Sequence, residues 1–209
     1  MYLSRVQIDY DNRAKIRDLT HLGAFHNWVE QSFPDEISEG RHSRKLWRVD
    51  ALKGKRYLLI VSESQPNREK LERYGVVGTA QSKDYDTFLS SLQQSHRYNF
   101  RVELNPVTTV TDSSGKKRKI PVGAANNQLQ WFLGHAEQFG VEFQPDSVLL
   151  TSRGEKILKH RKQRVTLSSA IFEGMLTVID VDALKSVLTN GFGREKAYGF
   201  GLLTLIPAQ

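Results

Sequence analysis

The side chains of this 209-residue chain best suited to proton transfer are its six histidines, His21, His26, His42, His96, His135 and His160. An unperturbed imidazole titrates near neutrality, so it can both take and give a proton. Cysteine is absent, which removes disulfides, thiolate metal sites and a cysteine nucleophile together. His26 follows Phe25 in a stretch whose apolar positions Leu22, Phe25, Trp28, Val29 and Phe33 recur close to helical spacing. It therefore lies at the flank of an apolar stripe, where two readings stand. One is an ordinary boundary histidine, which the residue pattern alone favours; the other is a proton carrier at the lip of a cleft. His160 sits among cations and suits contact with a polyanion better than proton work. His42, His96 and His135 read as exposed or satisfied polar groups. Asp84 and Asp86 form a D-x-D pair, but no His, Asp or Glu cluster accompanies them at ligand spacing, so no metal site and no cofactor are expected.

The charge is unevenly placed. The chain carries a formal net charge of +7, of which residues 1–95 contribute +2 and residues 96–209 contribute +5. Ten cations of the second part lie in two short segments. One is Lys116 to Lys119. The other comprises Arg153, Lys156, Lys159, Arg161, Lys162 and Arg164, with Glu155 as its single acid. So dense a field suits a polyanion, because each phosphate neutralised releases a condensed counterion. A solvated basic loop is the alternative.

A third feature is the segment Gly191-Phe192-Gly193-Arg194-Glu195-Lys196-Ala197-Tyr198-Gly199-Phe200-Gly201. Its glycines leave backbone N–H groups accessible and permit close approach of a phosphate backbone. A dinucleotide-binding loop would follow the first strand and open a helix, whereas this one follows a helix and opens the last strand. No Gly-Lys-Ser/Thr is present, so it is no P-loop. A glycine-lined turn that docks a helix on a strand is an equal reading at this point.

The elements around these residues form a repeated pattern. A period-two strand at residues 2–9, the helix carrying His26, strands in "LWRVDAL" and "RYLLIVSES", a short polar helix at residues 67–74 and an extended stretch from Val76 make up the first half. Pro34 and Asp35 are expected to end the first helix. The second half repeats the order. It has a strand ending at Asn105-Pro106, a Gly/Ser turn with a basic flank, a helix closed by Gly140, strands on either side of a basic hairpin, a helix behind an Asp180 cap, and a last strand. Two βαββαβ units imply an α+β protein of two tandem ferredoxin-like domains with antiparallel sheets, at residues 1–93 and 94–209. Trp47 and Trp131 are expected in the core. The composition is globular, no apolar run reaches the roughly 18 residues of a membrane span, and the first residues show no signal-peptide pattern. A cytoplasmic protein without membrane partners is expected.

The glycine segment continued as "GFGREKAYGFGLLTLIP" resembles the C-terminal signature of CRISPR repeat-processing endoribonucleases of the CasE type, subunits of the Cascade complex in type I-E systems. "MYLSRVQI", "FRVELNPV", "QLQWFLG" and "IFEGMLTVIDVDAL" are similar to that family too, in the family's order along the whole chain. The resemblance implies tandem ferredoxin-like domains, a CRISPR repeat stem-loop as the RNA partner and the other Cascade subunits as protein partners. It implies metal-independent cleavage 3′ of the stem-loop, in which a ribose 2′-OH attacks the adjacent phosphate to leave a 2′,3′-cyclic phosphate and a 5′-OH.

"HNWVEQSFP" from His26 resembles the family segment that holds the catalytic histidine, so the resemblance makes His26 the catalytic residue, with His21 in reserve. Some members carry a tyrosine three residues earlier; Gly23 stands there, and the partner of His26 is left open. Lys156, Lys159, His160, Arg161, Lys162 and Arg164 are expected to line the RNA stem, which in A-form is read through shape and phosphates. The resemblance places Gly193, Arg194, Lys196 and Gly199 near the RNA backbone. The alternative is a non-catalytic RNA-binding subunit of the same tandem fold in which His26 is structural.

Overall fold

A computed structural model describes residues 1–160 and 163–208. In the first domain, strands β1 (Tyr2–Gln7), β2 (Lys45–Leu52), β3 (Lys55–Ser62) and β4 (Gln81–Asp84) form an antiparallel sheet in the order β2-β3-β1-β4. Helices α1 (Arg13–Ile16), α2 (Leu22–Gln31) and α3 (Pro34–Ser38) connect β1 to β2. Helix α4 (Arg68–Leu71) and a 3-10 turn at Glu72–Tyr74 connect β3 to β4, and α5 (Asp86–Ser90) follows. The β2–β3 link is a hairpin with Lys53 and Gly54 both at positive φ, as a primed turn requires. Pro34 does more than stop α2: it opens α3 at the first helical position, where its missing N–H costs nothing. The extended stretch expected from Val76 becomes a strand only at Gln81.

In the second domain, β5 (Arg97–Leu104), β8 (Val141–Phe143), β10 (Gln163–Val178) and β11 (Leu203–Pro207) repeat the arrangement in the order β11-β5-β10-β8. Helices α6 (Ala125–Leu133) and α7 (Ala136–Phe139) lie between β5 and β8, and α8 (Val181–Asn190) lies between β10 and β11. Asp180 caps α8 by accepting the backbone N–H groups of Asp182 and Ala183 at 2.9 and 3.0 Å. Two hairpins are added to this frame. β6 (Val107–Thr111) pairs with β7 (Lys117–Pro121) as a separate ribbon, and β9 (Leu149–His160) pairs along β10 in register His160↔Gln163 to Leu149↔Glu173. The chain therefore has the two tandem ferredoxin-like domains that its element order implies. No helix among the described residues is long and apolar enough to cross a membrane.

The halves share their cores. Leu46 and Val61 of the first sheet pack with the second domain's Phe100, Phe132 and Phe172, while Leu158, Leu167 and Phe200 of the second domain pack with Leu22, Trp28 and Trp47 of the first. Arg48, 1% exposed, stitches the seam with bonds to the carbonyls of Arg101 (2.9 Å) and Leu202 (2.7 Å) and to Thr204 Oγ1 (2.8 Å). Its charge is met by Asp50 at 2.7 Å. Burial pushes the Asp50 carboxyl up, but the Arg48 and Arg101 guanidinia outweigh that and hold it below its ordinary range. A buried charge pair of this kind is costly to break from one side, so it fixes the docking angle of the two sheets.

Candidate active site and nucleic-acid interface

Helix α2 starts where His21 accepts the Ala24 N–H on Nδ1 at 3.3 Å, an N-cap provided by a ring nitrogen. Burial, then the charge of Lys159, hold the His21 pKa below its ordinary value, which keeps the ring neutral and able to accept that bond. His21 is thus committed to the helix terminus, and this argues against its reserve role in proton transfer. Two residues on, Gly23 faces the β9 strand so closely that an added Cβ would lie 2.9 Å from the Lys159 carbonyl. The hairpin backbone closes that side of the helix.

His26 comes next on the same helix and is half-buried, with 34% of its side chain exposed. Phe25 and Trp28 anchor the helix on either side: Phe25 stacks on Trp47 with ring centroids 5.8 Å apart, and the Trp28 indole donates to the Leu71 carbonyl at 3.1 Å. The His26 ring meets the Tyr198 ring at 5.3 Å and 64°, edge to face. Its Nδ1 lies 4.0 Å from Glu30 Oε1 on the following turn. Glu30 Oε2 in turn is 3.4 Å from the buried Lys45 ammonium, which bonds Glu36 at 2.8 Å. Burial alone would raise the Glu36 carboxyl; bonds from Lys45, Ser64 and Ser43 outweigh it and hold the pKa at about 2. A fixed chain of alternating charges thus stands behind the imidazole.

Tyr198 is presented by the glycine segment. Residues Lys196–Tyr198 form a 3-10 turn flanked by Glu195 and Gly199, both in the left-handed region. The Trp47 indole donates to the Ala197 carbonyl at 2.9 Å, and Gly199 lies directly on the Trp47 ring. Gly199 is buried there, so its missing side chain serves the docking of this turn on β2, and the expectation that it lies against RNA has no exposed surface behind it. Gly193 and Arg194 are exposed. Lys196 is half-buried; burial, then the charge of Arg44, hold its ammonium below its ordinary pKa. Arg44, His42, Ser43, Lys45, Glu30 and Ala197 line a cleft of about 300 Å³ beside this turn. His26 and Tyr198 stand beside this cleft rather than in its lining, next to its wall residues Glu30 and Ala197.

Sequence reasoning missed Arg44 and Glu30 in this hollow and set His42 aside. Arg44 carried no motif, and only the fold brings residue 44 to residue 196. Glu30 was legible in principle, since it stands four residues after His26 and so on the same helix face.

The long hairpin supplies the second cationic surface. Lys159 and Arg164 pair across β9 and β10 and are exposed, while Leu158 and Leu167 on the opposite face sink into the first domain's core. Lys156 departs from expectation. Its ammonium is 2.5 Å from Glu103, a carboxylate 1% exposed, and lies over the Phe200 ring at 5.5 Å. Strand alternation turns residue 156 toward Glu103, so Lys156 is ion-paired with a buried acid where a free cation was expected. Arg161 and Lys162 lie outside the described residues, and His160 is placed by its backbone alone. Lys117, Arg118 and Lys119 on β7 are exposed. Trp47 is core as expected, whereas Trp131 is partly exposed, packed against His135 at 4.5 Å. Among the described residues no group of three His, Asp or Glu side chains stands ready for a metal.

Two tandem ferredoxin-like domains, with His26 of the first against Tyr198 of the second, define the class of protein. A family model described as CRISPR associated protein matches residues 1–207, and the chain belongs to that family, of the Cse3/CasE type. It is 26% identical over 220 residues to the CRISPR-associated endoribonuclease Cse3 of Thermus thermophilus, covering 99% of this chain and all of that one. It is 28% identical over 116 residues to the Cascade subunit CasE of Escherichia coli, covering 52% of this chain and 57% of that one. Among solved structures, Thermus thermophilus Cse3 bound to an RNA representing a pre-cleavage complex superposes with a TM-score of 0.79 at 24% identity, covering 99% of this chain and 98% of that one.

Proposed function

We propose that this protein is a CRISPR repeat-RNA endoribonuclease. It holds a repeat stem-loop along the β9–β10 hairpin, cuts 3′ of the stem by attack of a 2′-OH on its own phosphate without a metal ion, and keeps the product as a Cascade subunit. The observation that carries this reading is the placement of His26: half-exposed, 4.0 Å from Glu30, which is itself paired with Lys45, and beside a cleft that Glu30, Lys45 and Arg44 line. The names of its relatives, an endoribonuclease and a Cascade subunit, point the same way.

The chemistry follows from what each group can do. With Nδ1 turned to Glu30, Nε2 is the nitrogen left to accept the 2′-OH proton, and the carboxylate steadies the imidazolium that forms. Arg44 and Lys196 supply positive charge for the phosphorane-like transition state, which carries one more negative charge than the diester. The exposed Lys159 and Arg164 fix the stem by its phosphates, leaving the scissile nucleotide to be positioned in the hollow.

The test is single-turnover incubation with the repeat stem-loop, with and without a 2′-deoxy at the scissile nucleotide. Cleavage that the deoxy substitution abolishes, that His26→Ala slows by roughly 10²–10⁴-fold, and that EDTA leaves at full rate supports the proposal. Binding without any cutting would leave the non-catalytic subunit, and loss of cutting in EDTA with rescue by magnesium would remove the metal-free route.

A further inference from the structure

Moving the 2′ oxygen onto phosphorus exchanges two protons, one leaving the attacking oxygen and one arriving on the departing 5′ oxygen. A single imidazole carries one of them at a time, so the second needs another group. Around His26 the candidates are few. Gly23, one turn earlier, offers no side chain and faces the Lys159 carbonyl. Glu30 is bound to the Lys45 ammonium on the far side of the ring. Among the described residues, the neighbour with a proton to give is Tyr198, whose ring stands edge to face with the imidazole at 5.3 Å.

We infer that Tyr198 is the second catalytic residue, the acid that protonates the leaving 5′ oxygen; the inference rests on the assignment of His26 as the base. The loop around it is held on both sides of the half-buried Tyr198 ring. The carbonyl before it is bonded to the Trp47 indole at 2.9 Å, and the residue after it is pressed on the same indole in a left-handed conformation at φ 85°. Trp47 also carries Phe25, the residue before His26, at 5.8 Å. One buried ring therefore sets the position of both catalytic side chains, although they come from different domains. Lys196, in the same turn, donates to the Gly191 carbonyl at 3.4 Å, and Arg44 is close enough for its charge to lower the Lys196 pKa, so the surroundings of the turn are cationic.

The step balances. The O2′–phosphorus bond forms as the phosphorus–O5′ bond breaks, the 2′ proton passes to His26 Nε2, and the phenolic proton passes to O5′. Transfer from imidazolium to phenolate, whose rings are already in contact, returns both groups to their starting state.

The experiment compares a repeat stem-loop RNA carrying the ordinary scissile phosphate with one in which sulfur replaces the bridging 5′ oxygen, because a thiolate departs without being protonated. Single-turnover rates and RNA Kd are measured for the unaltered protein, Tyr198→Phe, His26→Ala and His42→Ala. Tyr198→Phe keeps the ring contact and removes the hydroxyl alone. It is expected to slow the oxygen substrate by roughly 10²–10⁴-fold, to leave Kd unchanged, and to recover on the sulfur substrate, while His26→Ala stays slow on both. Unaltered cutting by Tyr198→Phe, an equal defect on both substrates, or sulfur recovery in His42→Ala instead would each overturn the assignment. Normal cutting of the oxygen substrate by His26→Ala would fell the underlying reading of the base, a separate outcome.

Discussion

Gly199→Ala isolates the part of the site that no proton-transfer group occupies. An alanine at φ 85° sits in the left-handed region, which costs an L-residue about 1–2 kcal/mol. Its Cβ would also stand 2.6 Å from Trp47 Cζ3 and 2.8 Å from Cη2, about 1 Å inside ordinary carbon contact. Trp47 is 2% exposed, and it is held by its bond to Ala197 and its stacking on Phe25, so the ring cannot retreat. Overpacking of that kind costs about 1–3 kcal/mol more, and the half-exposed turn carrying Tyr198 is the part that gives way. The sum of about 2–5 kcal/mol lowers Tm by at least about 4 °C in a protein of this size. A shift of about 1 Å at a catalytic group costs about 100-fold in rate. Single-turnover cleavage should therefore fall about that far while RNA affinity, set at the hairpin, changes little. Gly193→Ala is the control, since it also has positive φ (79°) but its Cβ would meet nothing closer than Leu104 Cδ2 at 3.7 Å. If Gly199→Ala cut at the unaltered rate with an unaltered Tm, the clamping of the loop by Trp47 would be wrong, and with it the account of how the two domains assemble one site.

Replacing Lys159 and Arg164 by alanine should reduce the slope of log affinity against log salt by about 0.7–0.9 for each phosphate that is no longer neutralised. Lys156→Ala should leave the slope unchanged but lower Tm, because it strands the buried Glu103; a salt slope that fell with Lys156→Ala would return that residue to the RNA surface. The Glu36 carboxyl, held at about 2 instead of 4.5, contributes stability that is fully present above pH 4.5 and is lost as the pH falls toward 2. A urea midpoint followed from pH 6 to pH 2 should drop over that window, and the share of the drop due to Glu36 should vanish in a Glu36→Gln, Lys45→Met double variant. His21→Ala removes an N-cap and should cost about 1 kcal/mol of stability, read by thermal melting, with cleavage retained; a loss of cleavage as deep as that of His26→Ala would move the proton-transfer role to His21.

The fold was legible because its signals are local. Alternation marks β1 and β5, helical spacing marks α2 and α6, and the Asp180 cap and the Gly140 left-handed stop bound their helices within single turns. The order of those elements then leaves few topologies. The site was half legible. His26 could be placed at the flank of a helix, but what stands opposite it depends on how two sheets dock, and nothing within one element encodes the meeting of Arg44 with Lys196 or of His26 with Tyr198. The ion pair of Lys156 was not legible for a related reason. A run of cations reads as one charged surface, yet in a strand adjacent residues face opposite ways, and the buried acid that claims Lys156 lies more than fifty residues away in sequence at Glu103. Gly199 shows the same limit: its backbone conformation was foreseeable, whereas the indole beneath it was not.

The turn that presents Tyr198 closes shortly before the final strand, and that strand completes the second sheet against β5. During synthesis, a polypeptide that has reached Asn190 already owns its imidazole and both halves of its basic hairpin. It still lacks the phenol, Lys196 and the sheet edge that would hold them. Under the proposed assignment of His26 and Tyr198, the full set of groups for cutting is therefore in place only once the last strand has been made and paired.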